Sequence, residues 1–261
     1  MNEVTQQTLA RSVSIEGIGL HTGKPVHMEF VPALAGHGIV FVRTDLPEQP
    51  HIAASLDNVV STNRGTILSE NGASVHTVEH VLAALSGCRI DNAVIRLSNE
   101  EPPAGDGSAL FFVRLIEQAG VEEQQAKRDF CTVPEMFTLV ENEKSMVYLP
   151  SDKFEITYLL EYRNNIIPPQ QIHLVIDADS FKTRIGRART FGFEHEFEML
   201  KANNLARGGS LENAVVIDNS GKVSNPEGLR EQHELILHKI LDLVGDFSLT
   251  GMQIKGHIIA E

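Results

Sequence analysis

The 261-residue chain has no tryptophan and only two cysteines, Cys88 and Cys131. Two cysteines do not make a disulfide framework, so free thiols in a reducing, cytoplasmic setting are expected. No apolar run approaches the roughly 18 residues that a membrane span requires; the longest, such as residues 81–85, are core-sized. The opening MNEVTQQTLARS is polar and lacks the apolar centre of a secretory signal. Positive charge is also scarce. Lys and Arg number 22 against 35 Asp and Glu, a net charge of −13, which removes the long-range field that gathers nucleic acid. An anionic small ligand stays compatible where a few cations converge. The remaining balance, 42% hydrophobic and 22% charged, excludes a collagen or a disordered tail. It fits one large domain or two of about 130 residues.

Along the chain, residues 8–15, 25–31 and 38–44 cluster β-branched and aromatic residues between Gly and Pro and read as strands. Residues 76–86 change to helical spacing: Val78, Val81, Leu82 and Leu85 fall on one face, and Gly87 stands where a helix ends. A strand at 92–97 and a helix at 111–119 ending at Gly120 follow. The polar run 122–128 (EEQQAKR) reads as a linker between half-domains at 1–124 and 129–261. The second half gives strands at 137–149 and 154–162, a helix from about 232 to 244 stopped by Gly245, and a strand at 251–259. An irregular insertion at about 185–216 carries Phe193, Phe197 and Leu200 at helical spacing. It reads either as a lid packed on the core or as the wall of an apolar ligand site. Laying His80 on His238 also pairs Leu82 with Ile240, Leu85 with Leu243, Gly87 with Gly245 and Val94 with Met252. This is a weak internal repeat with a histidine at the same place in each copy.

Eleven histidines make spacing the deciding question. His238 and Asp242 (HKILD) lie four apart, on one helix face, so a nitrogen and a carboxylate can reach one metal; the same spacing also describes a surface pair. A His and carboxylate set suits zinc. Asp246 continues that strip as a supporting acid or a helix-end charge. His76-Thr-Val-Glu79-His80 supports three readings. It matches the inverted zincin pattern, with His76 and His80 as ligands and Glu79 as base. Alternatively His80 alone is a ligand beside the base Glu79, or the segment is a plain helix start. No nucleophile elbow, Walker loop or dinucleotide fingerprint occurs, and His21 in GIGLHTG reads as a turn residue on spacing alone.

GIGLHTGKPV, TVEHVLAALSG followed by IDNAVI, PxxxDGSA at 102–109, RARTFGF, LARGGSLENAVV and HKILDLVGDF occur in that order. Together they resemble the UDP-3-O-acyl-N-acetylglucosamine deacetylase family, the zinc amidases of lipid A biosynthesis, from about Gln6 to the last residue. The resemblance implies an α+β fold of two similar half-domains, each a sheet with helices on one face, the helix layers packed together in the middle. It implies zinc, with iron(II) as an alternative, held by His80, His238 and Asp242, leaving His76 unliganded. Glu79 then matches the general base, Thr190 the hydroxyl that stabilises the oxyanion, and Asp246 the acid that holds a further histidine. Lys239 matches a lysine near the diphosphate, and His21 a histidine close to the cleft. Phe191, Phe197, Ala206, Ser210 and Val216 match the acyl-chain passage, and Tyr162 an aromatic beside the uridine. The family's segment bearing that further histidine would begin after Glu261, and His257 belongs to the strand before it.

The implied substrate is an acylated UDP-N-acetylglucosamine, which needs an anion contact, from Lys239 with Arg187 and Arg189, and an apolar groove. The expected setting is a cytoplasmic monomer with transient contact to the inner membrane face and no nucleic-acid partner. Two rivals stand beside this reading: an inverted-zincin metallopeptidase, and a non-catalytic module that holds an acylated sugar nucleotide.

Overall fold

The computed structural model describes residues 4–142, 144–162 and 166–261. Helices and strands are mixed throughout, in the α+β manner expected. The first sheet runs, edge to edge, Val13–Ile18, Pro25–Pro32, Ala93–Leu97, Ile39–Arg43 and His51–Ala53. Ala93–Leu97 is antiparallel to Pro25–Pro32 and parallel to Ile39–Arg43. The second sheet runs Phe137–Glu141, Lys144–Leu149, Gln253–Ala260, Phe154–Leu160 and Gln170–Val175. Gln253–Ala260 is antiparallel to Lys144–Leu149 and parallel to Phe154–Leu160. Both sheets therefore thread their last strand between the second and third, in the same sense. The faint sequence repeat is a repeat of topology.

The helices are α1 (Glu79–Gly87), α2 (Leu110–Ala119), α3 (Ala178–Thr183), α4 (Phe197–Ala202) and α5 (Glu234–Ser248). α1 is buried almost all round, because it is sandwiched between its own sheet and α5. One contiguous core joins Phe30, Phe41 and Ile95 of the first sheet to Val81, Leu82 and Leu85 of α1. It continues through Leu237, Leu241 and Val244 of α5 to Ile156 of the second sheet. Area removed from water on this scale contributes about 25 cal/mol per Å² and is the main term holding the halves together.

Four expectations from sequence are corrected. The run read as a linker is a strand, Val121–Lys127, paired antiparallel with Thr5–Leu9. Alternating polar side chains suit a two-stranded ribbon with a wet face, and Arg128 anchors its end on Asp91 at 2.7 Å. Residues 8–15 are not one strand, since the chain bends between Thr5–Leu9 and Val13–Ile18. Residues 137–149 form a hairpin, Phe137–Glu141 against Lys144–Leu149, with Asn142 at φ 55° in the turn. Gly245 does not stop its helix; α5 runs three residues further.

Gly245 is there for another reason. A β-carbon on it would overlap the carbonyl oxygen and carbon of Glu79, so the α5 and α1 backbones touch at this point. Gly245→Ala gains helix propensity of about 1 kcal/mol. The forced separation costs about 1–3 kcal/mol or more, because backbone cannot yield as a flexible side chain does. Gly245→Ala is expected to unfold at lower denaturant with an unchanged m-value, and to bind metal more weakly than wild type. Equal or higher stability with normal metal binding would show that the helices can part freely.

Candidate metal centre

Each half delivers its part of the site from a helix and from an insertion placed just before that helix. In the first half the small sheet of Val59–Ser61, Ile67–Glu70 and Ala73–Val75 leads into α1. α1 opens at Glu79, after a left-handed break at Thr77 (φ 53°). His76 therefore lies outside the helix, and its Nε2 meets Ser74 Oγ at 3.2 Å. This disposes of the inverted-zincin reading, which needs His76 and His80 one helical turn apart. In the second half, the parallel pair Phe191–Phe193 and Val215–Ile217 brackets the insertion ahead of α5.

Among the described residues, His80, His238 and Asp242 form the one group of three metal-ligating side chains, with donor atoms within 4.8 Å of one another. Asp242 Oδ1 lies 3.5 Å from His80 Nε2 and 3.4 Å from His238 Nε2. The two imidazoles meet edge to face, centroids 4.9 Å apart. His238 Nδ1 lies 3.0 Å from the Ala188 carbonyl, which accepts its proton and leaves the Nε2 lone pair facing the acid. Burial pushes His238 down to about 4, so it is neutral at pH 7. Asp242 is tied by Oδ2 to Lys239 Nζ at 3.2 Å, while Oδ1 is buried with no hydrogen-bond partner. Such an orphaned anionic oxygen is costly unless a cation meets it. Two imidazoles and one carboxylate sharing a point are the donor set of a catalytic zinc; burial keeps His238 neutral, while at His80 Asp242 outweighs burial and raises the ring's pKa. The residues fit the metal.

Glu79 adjoins His80 and accepts the Thr66 N–H at 2.9 Å. Burial raises its carboxyl to about 7, the charge of Asp242 adding to the effect and the Thr66 contact opposing it. Asp246, on the same strip of α5, accepts the Thr66 hydroxyl at 2.7 Å and is raised to about 6, again by burial. Thr66 thus joins the two acids with one residue. Nothing in its sequence context signalled this, because the contact spans 180 positions. Lys239 is held protonated by Asp242, and its ammonium lies 5.5 Å from the Phe191 ring centroid.

Other candidates stand as follows. Phe191 packs 6.3 Å from the His238 ring, and Tyr162 meets Phe191 and Phe193 at 6.4 and 5.0 Å. Thr190 is pinned through its backbone, its N–H to Gly107 and its carbonyl to the Val215 N–H. Phe197 opens α4, half-buried beside Gly192. Val216 lies in the buried strand, whereas Ser210 is exposed in the loop before it. His21 is more than a turn residue: Nε2 meets the Arg64 carbonyl at 3.0 Å, and Nδ1 accepts the Ala206 N–H at 3.3 Å. Nδ1 thus ties the insertion to the first half, while Nε2 fixes the ring on the Arg64 loop within that half. Arg189 is corrected outright. Read as an anion contact, it is 1% exposed and spent on Glu234 and Glu227. Arg187 remains exposed.

A family model described as UDP-3-O-acyl N-acetylglycosamine deacetylase (LpxC) matches residues 6–261. The chain belongs to that family. Proteins named UDP-3-O-acyl-N-acetylglucosamine deacetylase are similar over nearly its whole length. That of Citrifermentans bemidjiense is 45% identical over 98% of this chain and 84% of its own. Those of Myxococcus xanthus and Syntrophus aciditrophicus are 43% and 42% identical, each over 98% of this chain and 81% of their own.

The raised carboxyls give a pH test on the metal-free protein. A group whose folded pKa exceeds its unfolded value favours folding below the unfolded pKa and loses that contribution as pH rises through the folded one. Glu79 should therefore destabilise the metal-free protein progressively between about pH 4.5 and 7. Metal-free Glu79→Gln, which cannot ionise, should gain about 2 kcal/mol on wild type between pH 5 and pH 8 in chemical denaturation. A pH-independent difference would mean that Glu79 ionises normally.

Proposed function

We propose that this chain removes the N-acetyl group from UDP-3-O-acyl-N-acetylglucosamine, releasing acetate and the 2-amino sugar nucleotide, a step of lipid A biosynthesis. Zinc is the metal we assign to His80, His238 and Asp242, iron(II) being the alternative for the same donors. The observation that carries the reading is a His–His–Asp set converging on an unsatisfied carboxylate oxygen, adjoined by a carboxyl raised to about 7. Family membership and the names of the relatives supply the substrate.

Amide hydrolysis needs a nucleophile, stabilisation of the oxyanion and a proton for the leaving amine. Zinc in this site supplies Lewis acidity and lowers the pKa of water from about 15.7 toward 7. Glu79 takes the proton from the attacking water. With a pKa near the working pH it is suited both to accept a proton and to pass one to the amine. Thr190, by its match to the family's oxyanion hydroxyl, shares the developing negative charge, a role worth about a hundredfold in rate. Lys239 brings a fixed positive charge for the anionic substrate, and Phe191 shields that charge from water on one side. The insertion, with Phe197, Ala206, Ser210 and Val216, forms the acyl passage, and Tyr162 packs near the nucleotide end. Among the described residues no helix is long and apolar enough to cross a membrane. We place the reaction in the cytoplasm, in a monomer that visits the inner membrane face.

The test is acetate release after chelation and stepwise return of zinc. Activity should rise to one zinc per chain. Glu79→Gln should hold zinc yet lose 10²–10⁴ in rate, about the range of a general base. His238→Ala should lose zinc, and His76→Ala should keep it. One tightly bound zinc and bound substrate with no acetate from the wild-type protein would instead favour a non-catalytic binding module.

A further inference from the structure

The deepest charges in the second half touch neither substrate nor ligand atoms. Glu234 opens α5 and is 0% exposed. Its Oε1 accepts the Arg189 backbone N–H at 3.1 Å and Nε–H at 2.7 Å, and its Oε2 accepts Nη2–H at 3.1 Å. Oε2 also takes the Arg230 backbone N–H at 2.6 Å. Nη2 also donates to the Gly228 carbonyl at 2.7 Å, and Nη1 donates to Glu227. A buried ion pair of this kind is weak evidence for stability, since desolvation consumes most of its attraction. Its place in the fold suggests a different use.

Arg189 sits between Ala188, whose carbonyl accepts the His238 Nδ1–H, and Thr190. Glu234 and His238 are four apart on α5 and share a face. The helix therefore grips one three-residue segment at two points a turn apart, through Arg189 and through the Ala188 carbonyl. A slide of that segment would take the carbonyl away from His238 and free its ring to rotate. We propose that Glu234 and Arg189 are positioning residues that set the orientation of the ligand His238, and with it the placement of Thr190, without touching metal or substrate. This rests on the metal site proposed above.

The experiment compares zinc affinity, by chelator competition, and the visible spectrum of the cobalt(II) form for wild type, Glu234→Gln, Arg189→Lys, Glu227→Gln and Val113→Ala. Glutamine keeps the shape of Glu234 but turns one acceptor into a donor facing Nη2–H or the Arg230 N–H. Lysine keeps the charge of Arg189 but cannot form its fork. Both are expected to weaken zinc binding tenfold or more, in line with the usual 10–100-fold effect of losing a partner behind a metal ligand. Both should also shift the cobalt bands. Glu227 contacts the same guanidinium from a half-exposed loop outside α5, so Glu227→Gln should leave affinity and spectrum unchanged. Val113→Ala, a core truncation in α2, lowers stability without approaching the clamp and should do the same. Folded Glu234→Gln with wild-type affinity and spectrum would overturn the proposal. So would equal weakening by Val113→Ala, which would reduce the effect to general destabilisation. If Glu234→Gln does not fold, Arg189→Lys carries the same two outcomes. A wild-type chain that binds no metal would overturn the metal site along with the clamp, whereas normal zinc in both wild type and Glu234→Gln overturns the clamp alone.

Discussion

The contact between the Gly245 and Glu79 backbones governs the rest of the centre. Helices usually pack with axes 8–10 Å apart because side chains hold them off. With no β-carbon at Gly245, α5 settles onto the first turn of α1, and the residues on either side of that point are drawn together. His80 follows Glu79 directly, and His238 and Asp242 lie on the α5 turns before Gly245. Imidazole centroids 4.9 Å apart, with an acid between them, are the geometric result. Any residue larger than glycine would widen the spacing shared by all three side chains.

Close approach also excludes water, which sets the electrostatics. Asp242, Glu79 and Asp246 are three acids in one poorly hydrated region, and they do not share charge equally. Asp242 is held ionised, well below the usual carboxylate range; burial opposes this, and the His238 ring when protonated and the always-protonated Lys239 overcome it. The negative charge so fixed, together with burial, raises Glu79 and Asp246. One anion beside two protonatable acids is the division of roles that a hydrolytic site needs, and it follows from Lys239 standing beside Asp242 while Glu79 and Asp246 are buried, with Thr66 opposing the rise of both.

The architecture was largely legible because amphipathic spacing survives in α2 and α5, and because the apolar run of α1 suits a helix buried almost all round. His238 and Asp242 were legible as a pair because the i, i+4 relation on a helix is local, whereas the local spacing around His80 left three readings open and only the family resemblance chose among them. The misreadings were of residues whose meaning depends on distant partners. Gly245 looked like a helix stop because glycine serves both to end a helix and to admit a neighbouring backbone. Residues 122–128 looked like a linker because a strand with a wet face carries few apolar side chains, and its partner lies at the other end of the half-domain. Arg189 looked available to an anion because nothing near it in sequence reveals Glu234. Thr66 gave no signal at all; a threonine in a polar stretch acquires meaning only when Glu79 and Asp246 arrive from two different helices.

The repeated topology accounts for how the centre is shared out. With His80 laid on His238, Ala84 stands where Asp242 stands, and Leu237 where Glu79 stands. Each helix thus supplies one imidazole, but Asp242 comes from one copy and Glu79 from the other. A second acid at position 84, on the face of α1 that carries His80, would add buried negative charge with no lysine to match Lys239, because Val81 occupies that place. Two buried carboxylates in such a space cannot both stay ionised at neutral pH. The insertions diverge in the same way. One brings Thr66 to the acids, and the other brings the Ala188 carbonyl to the opposite side of His238. A two-fold scaffold makes the two histidines equivalent, and the differences between its copies put Thr66 with its two acids on one side of the site and the Ala188 carbonyl on the other.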